Sequence, residues 1–452
     1  MIRPVLVAAL VVAAAAPAAA IKLPDALADS DFHFNGDYSD AKVELGKFLF
    51  FDKVLGGNQN VSCATCHQAL LAGVDGLPLA IGEGALGLGV TRDLGSGADA
   101  VPQRVPRNSQ GLFNLGHKSL DAAFHDGRVQ VDAGAPSGFD TPAGEDLPLY
   151  VDTVMAAQAF FPVASTLEMA GQVGENPQGT AAAAGDWTTV WDLVVQRVVA
   201  IPEYVDLFIT SFHSDPNIPV DEAADITYVH IANAIFAWEA STFRSQNTPF
   251  DRYLQGDKRA LSSSAKRGMK LFFGKAECDE CHSGALLTDN DYHSLAVPQI
   301  GPGAGDGPDG LDDYGRERVT GDVADRFRFR TPPLRGVALT APYGHAGAYR
   351  DLETMVRHHF DAVAGLEGFQ RGQVQQPSRP DVDATDFAVL DDAARVAAIA
   401  ASSDLPALSR PLSDDQIGWL MDFLEQGLTD PDFFDRRRLV PLTVPSGLPV
   451  FD

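Results

Sequence analysis

Cysteine is scarce: the chain of 452 residues holds four. Four cannot staple a chain of this length, so a disulfide scaffold is excluded. Positive charge is short as well. Lys and Arg number 34 against 61 Asp and Glu, a formal charge of −27. A field of that sign repels phosphate, which argues against nucleic acid as a partner and disfavours anionic membrane surfaces. Long apolar runs are missing too. Past the N-terminus no segment approaches the roughly 18 uninterrupted apolar residues of a membrane span, so no membrane insertion is expected. Runs that alternate apolar and polar residues are too short to define a sheet, and the expected fold class is mainly α with little sheet.

What is present is ordinary in bulk. Hydrophobic residues make up 45% and charged residues 21%, which excludes a disordered chain. The first 20 residues combine Arg3, an apolar stretch from Val5 to Ala16 and the small residues Ala18–Ala20. That order is a secretory signal peptide, so the mature chain is expected to begin near Ile21, in the periplasm.

Apolar spacing predicts helices over 40–51, over 186–212 with a break at Pro202, over 221–243, and over 264–273, 351–360 and 414–428. Residues 71–110, 128–150 and 299–326 are rich in Gly, Pro or Asp and read as loops. The acidic run Asp306–Asp313 lacks EF-hand spacing and reads as a solvated loop.

One echo organises the chain. LGKFLFFDKVLGGNQNVSCATCH ends at His67, and GMKLFFGKAECDECH ends at His282. Each is a helix, an aromatic pair, a Gly-containing loop and C-x-x-C-H. Two related modules follow from it: 21–185 and 186–452, after the 1–20 leader, with the boundary in the AAAAGD stretch.

All four cysteines lie in these motifs, as Cys63 and Cys66 before His67 and as Cys278 and Cys281 before His282. C-x-x-C-H attaches c-type haem: two thiols one helical turn apart form thioethers, and the adjacent His faces the iron. A zinc ribbon would bring its C-x-x-C pairs far closer together in sequence, and disulfides would not need a His after each pair. Two covalent haems leave two functional classes. An electron carrier closes both irons with two ligands; an enzyme keeps one iron open beside acid–base groups.

Between residues 40 and 430 the sequence resembles the bacterial di-haem cytochrome c peroxidase/MauG family. The likeness is carried by LGKFLFFD, PRNSQGLFN, FHDGR, FDRYL, AKRGMKLFFGKAECDECHSG and FRFRTPPLRGVALTAPYGHAG. It implies two cytochrome c-like helical domains with a calcium ion between them. It also implies a peroxide-reactive N-terminal haem and an electron-relaying C-terminal one. The distal Gln, Pro and Glu of the family fall on Gln158, Pro162 and Glu168. A carboxylate there would move a proton between the peroxide oxygens, and an amide would orient them. The family's closing His after the first motif has no counterpart between His67 and His117, so an open iron is expected. His117 is the one distant rival.

The second axial ligand of the C-terminal haem falls on His359, fourteen residues after His345, with Met355 and His358 as rivals. Imidazole there suits higher oxidation states, and thioether suits ferrous iron. His125 stands where most relatives carry an inter-haem Trp, and Ala276 where MauG carries a surface Trp. The calcium ligands fall on Asn108, Thr340 and Pro342. The resemblance implies hydrogen peroxide as oxidant. It implies a small redox protein (cytochrome c or cupredoxin), or a protein substrate, as electron source, and it allows a homodimer. The acidity adds that this partner should offer a basic face.

Overall fold

The computed structural model describes residues 21–97, 100–405, 411–434 and 436–451. The expected signal peptide, residues 1–20, lies outside the described residues. The described fold is mainly α, as expected. Its helices are α1 (Asp40–Phe51), α2 (Cys63–Cys66), α3 (Val154–Gln158), α4 (Pro177–Ala183), α5 (Trp187–Val199), α6 (Pro202–Phe212), α7 (Tyr228–Thr242), α8 (Pro249–Leu254), α9 (Ser263–Lys270), α10 (Glu317–Thr320), α11 (Leu352–Phe360), α12 (Ala362–Glu367), α13 (Pro380–Asp383), α14 (Ala393–Ala401) and α15 (Asp414–Asp422). Sheet is confined to two scraps. Strands β1 (Ala122–Ala123), β2 (Val129–Val131) and β3 (Phe139–Asp140) pair antiparallel, and β4 (Tyr292–His293) pairs with β5 (Phe329–Arg330). The first sheet occupies part of the stretch expected to be loop, because two- and three-residue strands carry no readable alternation.

The helix starts follow local chemistry. Ser39 caps α1 by accepting a hydrogen bond from Lys42 N at 3.2 Å, and Asp40 favours the positive end of the helix dipole. Pro202 ends α5 and opens α6 at its first position, where the missing N–H is harmless. The helix expected from residue 221 begins instead at Tyr228, after a short turn over Ala223–Asp225.

Two helix crossings repeat each other. α1 crosses α7 at Gly46, where a Cβ would overlap the Ala234 carbonyl. α9 crosses α15 at Gly268, where a Cβ would overlap the Trp419 carbonyl. In both cases an aromatic pair follows four and five residues on: Phe50 and Phe51, and Phe272 and Phe273. The internal echo is thus a packing unit, in which the helix before each haem motif crosses a later helix backbone to backbone.

The boundary expected at 185 falls inside the first of these units. Val190, Trp191, Val198, Phe208, Phe212 and Phe236 share one hydrophobic cluster with Leu45, Phe50 and Val61. The AAAAGD stretch is not a linker: it completes α4 and turns into α5. A separate cluster holds Phe250, Met269, Phe272, Leu420 and Phe423.

Long-range polar ties close the chain. Arg104 donates to Asp386 at 2.9 Å and to Asp383 at 2.6 Å. Asp52 of LGKFLFFD is fully buried and accepts from Tyr204 Oη at 2.7 Å and from Ser446 Oγ at 2.6 Å. Arg335 of TPPLRG and Asp251 of FDRYL form a 2.6 Å ion pair with no exposure on either side chain. The acidic run is solvated only in part, with Gly307, Pro308 and Asp309 exposed. Asp313 pairs with Arg107 at 2.7 Å, Asp306 with Arg318 at 2.7 Å, and Asp309 with Arg395 at 2.5 Å, and both Asp312 and Asp313 are buried.

Candidate active site

A cavity of about 870 Å³ runs between the two packing units. Both C-x-x-C-H motifs line it, through Cys63, Cys66, His67, Cys278, Cys281 and His282. The two histidines are oriented alike. His67 Nδ1 donates to the Gly73 carbonyl at 3.0 Å, and His282 Nδ1 to the Leu287 carbonyl at 3.1 Å. That bond fixes the tautomer in which Nε2 keeps its lone pair, the state a metal ligand requires. The cysteines are free thiols, and burial pushes Cys63 and Cys278 up to about 12. The donors, their tautomers and the apolar enclosure therefore fit two covalently held haems.

Gln158 ends α3, Pro162 opens the short turn Pro162–Ala164, and Glu168 follows six residues later. All three line the cavity with Cys63 and His67. Burial holds the Glu168 carboxyl above its usual range, opposed by the Arg128 charge and a Ser165 hydrogen bond. Arg128 was not singled out from the sequence. It closes FHDGR, lies 3.5 Å over the Phe124 ring, and donates to Asp126 at 3.1 Å.

Asp126 and Gly127 of FHDGR hold the loop in place. Asp126 pairs with Arg107 at 2.6 Å. Gly127 has φ +68°, and a Cβ there would overlap Tyr292 Oη. His125 lines the cavity and donates from Nε2 to the Asn108 carbonyl at 3.1 Å. Burial, reinforced by Arg107, pushes it down to about 3, so the ring is neutral.

On the other side, the His282 and His359 rings face each other with centroids 6.4 Å apart. Two imidazoles flanking one metal, with bonds of about 2.0–2.1 Å each, need about this separation. His359 Nδ1 donates to the Met355 carbonyl at 2.8 Å. The rival Met355 lines the cavity as well. His358 does not compete: Tyr349 Oη donates to its Nδ1 at 2.8 Å, and its Nε2 donates to the Leu295 carbonyl at 2.7 Å. His117 is not among the cavity-lining residues, and its Nδ1 accepts from Ser119 N and Oγ.

Asn108, Thr340 and Pro342 also line the cavity. The Asn108 amide nitrogen donates to the Leu77 and Pro78 carbonyls at 2.8 and 3.1 Å, which leaves its oxygen for another partner. Cys281, Asp289 and His293 cluster within metal-ligating reach, and His293 donates to Asp289 at 2.9 Å. The Cys281 sulfur belongs to the haem motif, so the cluster reads as a polar edge to that site.

These features define a c-type di-haem protein, and comparison with known proteins narrows the class. A family model described as di-haem cytochrome c peroxidase matches residues 40–259. The cytochrome c551 peroxidase of Pseudomonas aeruginosa is 32% identical over 339 residues, 75% of this chain and 75% of that protein. The methylamine utilization protein MauG of Methylorubrum extorquens is 32% identical over 318 residues, 70% of this chain and 68% of that protein. A crystal structure of a MauG-like protein associated with microbial copper homeostasis shares the fold, with TM-score 0.56 and 23% identity over 94% of this chain and 99% of that one. The chain belongs to the di-haem cytochrome c peroxidase/MauG family. It is a peroxidase-like oxidoreductase with two c-type haems.

Proposed function

We propose that this is a periplasmic enzyme that reduces hydrogen peroxide at the haem held by Cys63, Cys66 and His67. The observation that carries the reading is the convergence of Gln158, Pro162 and Glu168 on the cavity wall shared with that motif. Bound haem supplies the iron at which the O–O bond is broken and through which electrons arrive. Reduction of one peroxide to two waters takes two electrons and two protons. Glu168 carries the proton from the near peroxide oxygen to the far one. The Gln158 carboxamide orients the peroxide, and Arg128 keeps the Glu168 carboxylate within reach of its ionised form.

Cys278, Cys281 and His282, with His359 facing His282, would hold the C-terminal haem, which would supply the route by which electrons enter. His125 lies on the path between the haems. Its neutral imidazole is harder to oxidise than indole and serves as a tunnelling medium. The absence of a His between His67 and His117 and the imidazole at 359 both favour the MauG-like branch. Calcium is assigned to Asn108, Thr340 and Pro342, as oxygen donors for a hard cation. The first haem unit runs through α7 and the second from α8 onward. The electron source is a small redox protein or an oxidised protein substrate with a basic face.

The test is Glu168→Gln. Peroxide reduction with a reduced donor should fall by about 10²–10⁴-fold, while the ferric spectrum of the C-terminal haem stays unchanged. Full activity in that variant would reject the reading. A resting ferric protein with two low-spin haems would support an electron carrier instead.

A further inference from the structure

α7 is apolar nearly all round, and every residue from Tyr228 to Ala240 is buried. Three polar side chains interrupt it near the core. His230 accepts from Thr227 at Nδ1 and donates to the Ile218 carbonyl. Asn233 accepts from Asp152 N at 3.0 Å and donates to the Tyr150 carbonyl at 3.0 Å. Glu239 differs. It is 7% exposed, and its carboxyl has no hydrogen bond or ion pair with any described residue. It opens on the cavity, in the same wall as Cys63, Ile235 and Tyr228.

A buried carboxyl without a partner is costly, and the cost falls on its charged form. Here burial is the sole cause of the shift and pushes Glu239 up to about 8. The titratable group that faces it is the Cys63 thiol, from α2. α1 meets α7 through Gly46 and Phe50, against Ala234 and Trp238. The charged residues of α1 turn elsewhere: Lys42 to Asp215, Lys47 to the Arg438 carbonyl, and Glu44 to solvent. α3 carries no charged residue, and Arg197 of α5 donates to the Val54 carbonyl. Glu168 and Arg128 share the cavity, but they act on each other. Among the carboxyls that line the cavity, Glu168 and Glu239 thus have unlike surroundings, one beside a cation and one in an apolar wall. Such pairs divide acid and base roles.

We propose that Glu239 is the proton-coupling residue of the N-terminal haem site, binding a proton when the site gains an electron and releasing it when the site loses one. The balance is one for one. An electron from the reducing partner adds one negative charge, and a proton from solvent converts the carboxylate to the neutral acid. Oxidation by peroxide withdraws the electron, and the O–H bond of the acid breaks to return the proton. The inference rests on haem attachment at Cys63 and Cys66, which intact-mass measurement checks separately.

The experiment is a spectroelectrochemical titration of the holoprotein between about pH 6 and pH 9, around the ordinary range of a raised carboxyl. In the native protein the midpoint potential of the N-terminal haem should fall as pH rises. In Glu239→Gln, with both haems attached, it should be flat over that range. An unchanged pH dependence in this variant overturns the proposal. If Glu239→Gln fails to take up haem, redox-difference infrared spectra of the native protein and of Glu168→Gln decide. A deuterium-sensitive carboxyl band that appears on reduction in both supports the assignment, and its absence from either overturns it.

Discussion

His282 and His359 stand ring to ring, 6.4 Å between centroids, each held from behind by a backbone carbonyl at its Nδ1. The two side chains are 77 positions apart in sequence, on a haem motif and on α11, yet their free nitrogens are aimed by the same device. Replacing His359 with Ala should abolish the low-spin signal of the C-terminal haem in ferric spectra and leave the other haem unchanged. Met355→Leu should leave both signals as they are. A low-spin signal that survives His359→Ala but not Met355→Leu would transfer the ligand role to Met355.

The Arg335–Asp251 pair predicts a stability effect rather than a catalytic one. Both side chains are fully buried. Arg335→Met leaves the Asp251 carboxylate without its counter-charge and should destabilise the holoprotein by about 3–5 kcal/mol. Adding Asp251→Leu should recover part of that loss. Denaturant titration of the single and double variants measures both, and equal stabilities for the two would contradict a charge-burial origin.

His125 gives a signed pH dependence. Its folded value is pushed down to about 3, while an unfolded His titrates near its ordinary value of 6.5. The unfolded chain therefore binds a proton that the folded one refuses, and stability falls as pH drops from 6.5 toward 3. The slope reaches at most about 1.36 kcal/mol per pH unit. Subtracting the pH profile of His125→Asn from that of the native protein should isolate this component. A difference that is flat below pH 6.5 would show the site to be proton-accessible when folded.

The two glycine crossings should fail alike. Gly46→Ala and Gly268→Ala each force a Cβ into a carbonyl of the facing helix, and each should cost about 1–3 kcal/mol or more. Thermal unfolding of both variants checks this. Losses confined to one of them would break the equivalence of the two units.

Electron delivery should be sensitive to salt. At −27 the chain attracts a basic face, and the association rate with a cationic donor should fall as ionic strength rises. Stopped-flow reduction across a salt series measures the slope. A rate that rises with salt would point to an acidic partner.

The haem motifs were legible because chemistry fixes their spacing. α1, α5, α6 and α11 were legible because one face of each is apolar. Three things were not. β1 to β3 are too short to show a period. The partnership of Arg335 with Asp251 joins two motifs that sequence spacing cannot pair. Glu239 left a fainter trace: one carboxylate in the apolar run IANAIFAWEAS. A lone acid in a core helix is a signal worth following, but only the cavity beside it shows which way it matters. The boundary expected at 185 rests on composition alone. Small residues mark both linkers and tight helix turns, and composition does not separate the two.

Ser446, near the end of the chain, bonds Asp52, 394 positions earlier. The loop after the first haem motif is tied by Arg104 to Asp386, 282 positions on. The first unit thus depends for some of its contacts on residues far later in the chain. Contacts of such separation are slow to close and give no early reward. The N-terminal half cannot reach its final form until those later residues are in place.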